Sequence, residues 1–268
     1  SPKNRKSGVI MAALAENDPV ATSLNLMRRL PPNKIEQNLS GLLNLAPSST
    51  DELLQRIDQP LELCVPPSPA LPYLLCDYNR DGDSYRSPWT NEYSPPLPDG
   101  FKPSARLREM EVKANDLFSS YRELYYEGGV SSVYLWDLEG SDAGAFAGCF
   151  LIRKCTEGDR YVSAGSSWNS IHVVEASSPS AAGGDKASYK LTTTVMVAMD
   201  TAGDACGETN LSGSMTRQST MERQCGPDAD AGHLANIGRM IEDMEIEVRS
   251  NMHSLYLQKT HQVVGEVR

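Results

Sequence analysis

The chain has 268 residues, 40% of them hydrophobic and 22% charged, with 35 acidic against 25 basic side chains and a net charge of −10. That is enough to bury a real core as one large domain or two small ones, and the acidic balance excludes a duplex-binding protein with an overall basic footprint. No stretch approaches the roughly 18 apolar residues of a membrane-spanning helix, and the basic N-terminus SPKNRKSGVI lacks the apolar run of a secretory signal.

Residues 1–18 are expected to be a disordered or vector-derived extension and are set aside. Residues 19–62 read as three short helices punctuated by proline. Leu24, Leu26, Met27 and Leu30 precede Pro31-Pro32. Ile35, Leu39, Leu42 and Leu43 recur at helical spacing, and Ser48 to Asp51 supply capping residues ahead of Leu53, Leu54 and Ile57. Helices this short are unstable alone and must pack on one another. Residues 63–127 begin with a stretch rich in Pro, Asp, Gly and Tyr that has no period to about residue 103. Its aromatics (Tyr73, Tyr78, Tyr85, Trp89, Tyr93) predict a loop region that packs down. A helix then spans Ser104 to Glu127 and ends at Gly128-Gly129.

From 128 to 218 the period changes to two. Strands are predicted at Val130–Leu138, Ala145–Ile152, Trp168–Glu175 and Tyr189–Met199, with a weaker one at Asn210–Thr216. Short breaks such as EGSDAG and SSPSAAGGD are turn chemistry, so the five strands form an antiparallel meander whose edges need covering or pairing. Residues 228–268 are helical again. Leu234, Ile237, Ile241, Met244, Val248 and Leu255 follow 3/4 spacing over a run to about Gln262, roughly 50 Å long at 1.5 Å per residue. The stripe is narrow, which predicts packing along a partner as well as along the chain's own sheet. Glu242, Asp243, Glu245 and Glu247 precede Arg249, Lys259 and Arg268, an order that suits the helix dipole.

The motifs that suggest chemistry are weak. Asp77-x-Asn79-x-Asp81-Gly82-Asp83 begins like a calcium loop, but the twelfth position is Pro88 where a bidentate Glu belongs. His172, between Ile171 and Val173, reads as a satisfied strand residue, and His253 and His261 are too far apart for one metal. The six cysteines form no C-x-x-C pair and read as buried reduced thiols of a cytosolic protein. Asn38-Leu-Ser40 and Asn210-Leu-Ser212 match the glycosylation sequon, which is frequent by chance. With no activated nucleophile or phosphate-binding loop in the sequence, neither an enzymatic activity nor a cofactor or metal is expected.

Cys76-Asp77-Tyr78-Asn79-Arg80-Asp81 resembles the signature of the F-actin capping protein β-subunit family. Five further segments look like that family in order: Leu26–Pro32, Asp83–Trp89, Glu127–Trp136, His233–Met240 and Lys259-Thr260. The resemblance implies an α+β subunit in which a helical stalk (19–62), an antiparallel sheet (128–218) and a long C-terminal helix across it are completed by a similarly folded α subunit. The implied function is non-enzymatic. The heterodimer blocks monomer addition and loss at filament barbed ends, free in the cytoplasmic cytoskeleton or as a structural part of a dynactin-like assembly. Arg249, Lys259 and Arg268 are the expected actin contacts, and phosphoinositides and capping-protein regulators are expected further partners. Glu247 and His261 stand where the family often has basic residues. The chain stops at Arg268, about where the family's actin-binding extension begins, so the expectation is intact dimerisation with lower barbed-end affinity. The hexapeptide itself is expected to be a packed loop and not the actin contact.

Overall fold

A computed structural model describes residues 19–138, 144–155, 166–177, 186–203, 207–225 and 229–266. The first helix, α1 (Pro19–Met27), is followed by a 3₁₀ turn at Pro32–Lys34 that runs into α2 (Ile35–Leu45). A second 3₁₀ turn at Pro47–Ser49 runs into α3 (Thr50–Arg56). Proline suits both turn starts, since its φ is already near −65° and its missing N–H would have had no partner there. Val20, Leu24 and Leu53 bury together with Leu43 against them, as the predicted helical module requires. The predicted cap is built differently: Ser49 makes no side-chain cap bond, and the Thr50 hydroxyl instead donates to the Pro47 carbonyl at 2.8 Å. The α3 helix also stops at Arg56, ahead of Pro60.

The stretch expected to be loop contains five very short strands. β1 (Glu62–Cys64) pairs antiparallel with β2 (Tyr73–Leu75), while β3 (Arg80–Asp81), β4 (Ser84–Arg86) and β5 (Tyr93–Ser94) form a small three-stranded sheet. Strands of two or three residues are too short to show a period of two, so pattern alone could not find them. The next helix, α4 (Ala105–Tyr125), starts at Ser104, whose hydroxyl accepts from the Leu107 amide. It ends before Gly128, whose φ of +72° is a backbone conformation that glycine adopts without a side-chain clash.

The main sheet consists of β6 (Val130–Asp137), β7 (Phe146–Cys155), β8 (Ser167–Ala176), β9 (Lys186–Gly203) and β10 (Gly207–Gln224), hydrogen-bonded in chain order as an antiparallel meander. In β6 and β7, Tyr134 lies opposite Cys149 and Leu135 opposite Gly148. The last strand is far longer than the predicted Asn210–Thr216. Its second half, from Arg217 to Gln224, is polar and mostly exposed along the sheet edge, so it lacks the alternation that marks a half-buried strand. One face of the sheet carries Tyr134, Cys149 and Leu151, covered by Leu61 and Leu74 of the β1–β2 region. The opposite face meets the helices: Phe118 of α4 packs edge-on to Phe150 at 5.4 Å, and Asn115 bonds Val133.

The last helix, α5 (Ala229–Glu266), is 38 residues long, about 57 Å at 1.5 Å per residue. Leu234, Ile237, Met240, Ile241, Met244 and Val248 are its buried apolar side. Among the described residues no helix is long and apolar enough to cross a membrane. The chain divides into two compact units. One joins the N-terminal residues through Pro60 with Cys155–Trp168 and Met196–Met215. The other takes Leu61–Lys154, Asn169–Val195 and Thr216–Arg268. The helices α4 and α5 and every side chain treated below belong to the second.

Candidate binding site on the long helix

Two buried polar clusters position the helical layer. The first centres on Glu111, a fully buried residue of α4. Its carboxylate accepts a two-pronged bond from the Arg86 guanidinium, both at 2.8 Å, another from Arg108 at 2.5 Å, and the Leu135 amide at 2.7 Å. Arg86 lies over the Tyr134 ring at 5.6 Å, and Arg108 also donates to the carbonyls of Pro88 and Trp89. The segment Asp83–Trp89 is thereby tied to α4 and β6. The hexapeptide before it is bound as firmly. Asn79 is buried, accepts from the Cys76 amide at 2.9 Å and donates to the Arg86 carbonyl at 2.9 Å. Tyr78 stacks on Trp136 at 5.2 Å, and Asp81 accepts from the Phe101 amide. Asn79 and Asp81 are thus engaged with backbone groups of the surrounding segment, as the packed reading of the hexapeptide expects.

The second cluster sits on α5. Glu245 is fully buried; its Oε1 meets His172 Nε2 at 3.0 Å, and its Oε2 accepts from the hydroxyls of Tyr121 (2.8 Å) and Tyr126 (2.5 Å) and from Arg249 (2.8 Å). On the other side of the imidazole, His172 Nδ1 bonds the Thr193 hydroxyl at 2.9 Å. Burial on its own would push the Glu245 carboxyl up. The hydrogen bonds from His172, Tyr126 and Tyr121 and the charge of His172 outweigh it and hold the group at about 2. His172 is therefore the satisfied strand residue that its apolar neighbours suggested.

Arg249, one turn beyond Glu245, reaches the surface from this cluster. Besides Glu245 it donates to the Tyr126 hydroxyl, and its guanidinium lies 4.9 Å from the Tyr126 ring centre and 5.5 Å from that of Tyr125. About a third of the Arg249 side chain, 32%, remains exposed. Tyr125 is itself exposed, and its hydroxyl donates to Glu242 at 3.0 Å. Ile246 and Glu247 are exposed on the adjoining turn. Of the other expected contact residues, Lys259 lies on α5 beyond the described side chains, as does His261, and Arg268 lies outside the described residues.

The start of α5 is fixed separately. The Tyr189 hydroxyl bonds His233 Nδ1 at 2.8 Å and accepts from Asn236 Nδ2 at 3.2 Å, while Asn236 also donates to the Gln224 carbonyl. Burial pushes the His233 imidazole below its usual value, assisted by the charge of Arg106. A Cβ on Gly232 would sit 1.8 Å from the Cys225 carbonyl oxygen, so only glycine lets the helix begin this close to that backbone. Among the described residues no group of three or more His, Cys, Asp or Glu side chains could hold a metal ion.

A sequence model of the family described as F-actin capping protein, beta subunit, matches residues 20–264. The chain belongs to the F-actin capping protein β-subunit family. The F-actin-capping protein β subunit of Drosophila melanogaster is 48% identical, aligned over 92% of this chain and 86% of its own length. That of Caenorhabditis elegans is 49% identical over 92% and 87%, and that of Dictyostelium discoideum 48% over 91% and 87%. Among solved structures, a homodimeric actin capping protein α subunit from Plasmodium berghei superposes with a TM-score of 0.55 at 16% identity, covering 99% of this chain and 96% of that one. At that identity the likeness establishes the shared fold. In this β-family chain, the family-like segments Cys76–Asp81, Asp83–Trp89, Glu127–Trp136 and His233–Met240 all supply internal packing or hydrogen bonds.

Reading the sequence missed Glu245 as the hub of the site, counting it among the acids that suit the helix dipole. The structure corrects this, because a fully buried carboxylate is held by its partners and not by the dipole. A signal was present: Glu245 falls four residues after Ile241 and three before Val248, inside the apolar stripe, where a carboxylate must find buried donors.

Proposed function

We propose that this chain is the β subunit of a heterodimeric capping protein, pairing with a capping protein α subunit and binding the barbed end of actin filaments. It blocks monomer addition and loss there by occupying the end. The observation that carries the reading is membership of the β-subunit family over residues 20–264. The activity is binding, and no covalent step is involved. Cytoskeletal localisation follows from the same reading, with phosphoinositides and capping regulators as further partners.

Arg249, Lys259 and Arg268 are the proposed contacts with actin. Support for Arg249 is its pose on an exposed turn beside Tyr125 and Ile246, a mixture of arginine, aromatic and aliphatic surface typical of strongly contributing interface residues. Glu247 beside it lowers the attraction for an acidic partner. The test is seeded actin polymerisation with the chain co-expressed with an α subunit. Barbed-end growth stops at nanomolar heterodimer. Arg249→Ala weakens capping by about 5- to 30-fold, the roughly 1–2 kcal/mol of a contributing interface residue truncated to alanine. Unchanged barbed-end growth at micromolar heterodimer would refute the function.

A further inference from the structure

We propose that Glu245 and Tyr126 are positioning residues for barbed-end binding, holding the Arg249 guanidinium in one pose on the surface of α5. This rests on the reading of Arg249 as a contact. The argument lies in an asymmetry. The Glu245 carboxylate is satisfied without Arg249, since His172 Nε2 and the hydroxyls of Tyr121 and Tyr126 supply three donors within 3.0 Å. Arg249 adds a fourth donor to a carboxylate that already has three. The carboxylate therefore depends little on the arginine.

The reverse dependence is strong. An arginine with a third of its side chain in solvent ordinarily samples many rotamers, and ordering it on binding costs affinity. Here its Nη2 is tied to both Glu245 Oε2 and the Tyr126 hydroxyl, and the guanidinium carbon lies over the Tyr125 and Tyr126 rings, 5.5 and 4.9 Å from their centres. Both anchors are buried. Glu245 is fully buried between β8 and α4, and Tyr126 is nearly so, with its own hydroxyl committed to Glu245. The network thus pre-organises the arginine before any partner arrives, which preserves affinity that ordering would otherwise consume.

The decisive variant is Tyr126→Phe. It keeps the ring beside the guanidinium and removes only the hydroxyl that accepts from Arg249 and donates to Glu245, leaving the direct Arg249–Glu245 bond, so assembly with the α subunit is retained. Barbed-end dissociation constants are measured by seeded polymerisation for the heterodimer, for Tyr126→Phe, for Arg249→Ala and for the double variant, at low and high salt. Tyr126→Phe weakens capping about two- to tenfold, the range for losing one pre-ordered side chain. It has no further effect in the Arg249→Ala background, and it alters the salt dependence only while Arg249 is present. Glu245→Gln behaves likewise where it assembles, and Tyr126→Phe decides alone where it does not. Equal losses in both backgrounds, or no loss or a gain in the single variant, overturn the positioning role. If Arg249→Ala leaves capping unchanged, the contact reading itself fails and the positioning role falls with it. If Arg249→Ala weakens capping while Tyr126→Phe does not, only the positioning role is lost.

Discussion

Replacing Glu111 by leucine tests how the loop region is fastened to α4. The side chains of Glu111 and Arg86 are 0% and 3% exposed, and the carboxylate is the only acid bonded to the Arg86 guanidinium among the described residues. Glu111→Leu strands the Arg86 charge in the interior and leaves the Leu135 amide without its acceptor. Breaking a buried pair on one side costs about 3–5 kcal/mol, and the orphaned amide adds about 1–3 kcal/mol. At about 2–4 °C per kcal/mol for a domain of this size, the melting temperature falls by at least about 6 °C. Glu111→Leu combined with Arg86→Met removes the stranded Arg86 charge and keeps the amide penalty and the lost Arg108 bond. The double variant is therefore more stable than the single one by about 1 kcal/mol or more, a coupling that a double-mutant cycle reads directly. Differential scanning calorimetry of the heterodimer measures all four species. A single variant within about 2 °C of the parent, or a double variant less stable than the single, would show that the pair does not fasten this region.

Three further outcomes follow from the geometry. Gly232→Ala places a methyl group 1.8 Å from the Cys225 carbonyl oxygen, so the first turn of α5 must shift; urea titration should show a loss of about 1–3 kcal/mol, as for overpacking. Asn79→Ala removes the bonds to Cys76 and Arg86 and leaves buried backbone groups unpaired, at about 1–3 kcal/mol, and amide exchange should quicken first over the hexapeptide. The third outcome concerns pH. The Glu245 carboxyl is held at about 2 in the fold against an ordinary 4.5. Its contribution is present above pH 4.5 and is lost as pH falls through about 2. That difference is worth on the order of a few kcal/mol. Stability curves of the parent and Glu245→Gln should converge over that window as pH falls; parallel curves would refute the assignment.

Much of the fold was legible in the residues because burial writes a period into the chain. The helix Ser104–Glu127, the first four strands of the meander and the long helix all bury one side along their length, and each was predicted within a few residues except for the extent of β9. The packing of the hexapeptide was legible, since its short polar side chains stand in an aromatic-rich stretch, but its last two residues, Arg80 and Asp81, form β3 and not loop. Where burial leaves no period, reading failed. The strands β1 to β5 are too short to alternate, and the outer half of β10 is polar because it forms an exposed edge.

The site divides along the same line. The chain by itself determined that a basic residue, Arg249, stands late on a long amphipathic helix, because helical spacing and charge are properties of consecutive residues. Only the tertiary structure decided what that arginine touches. His172, Tyr121, Tyr126 and Glu245 come from β8, the two ends of one stretch around the close of α4, and α5, as many as 124 residues apart. Their meeting point is set by how the helices lie on the sheet. Short-range pattern carries no record of a distance across a core, so a carboxylate that looked like a dipole partner became the buried hub of the site.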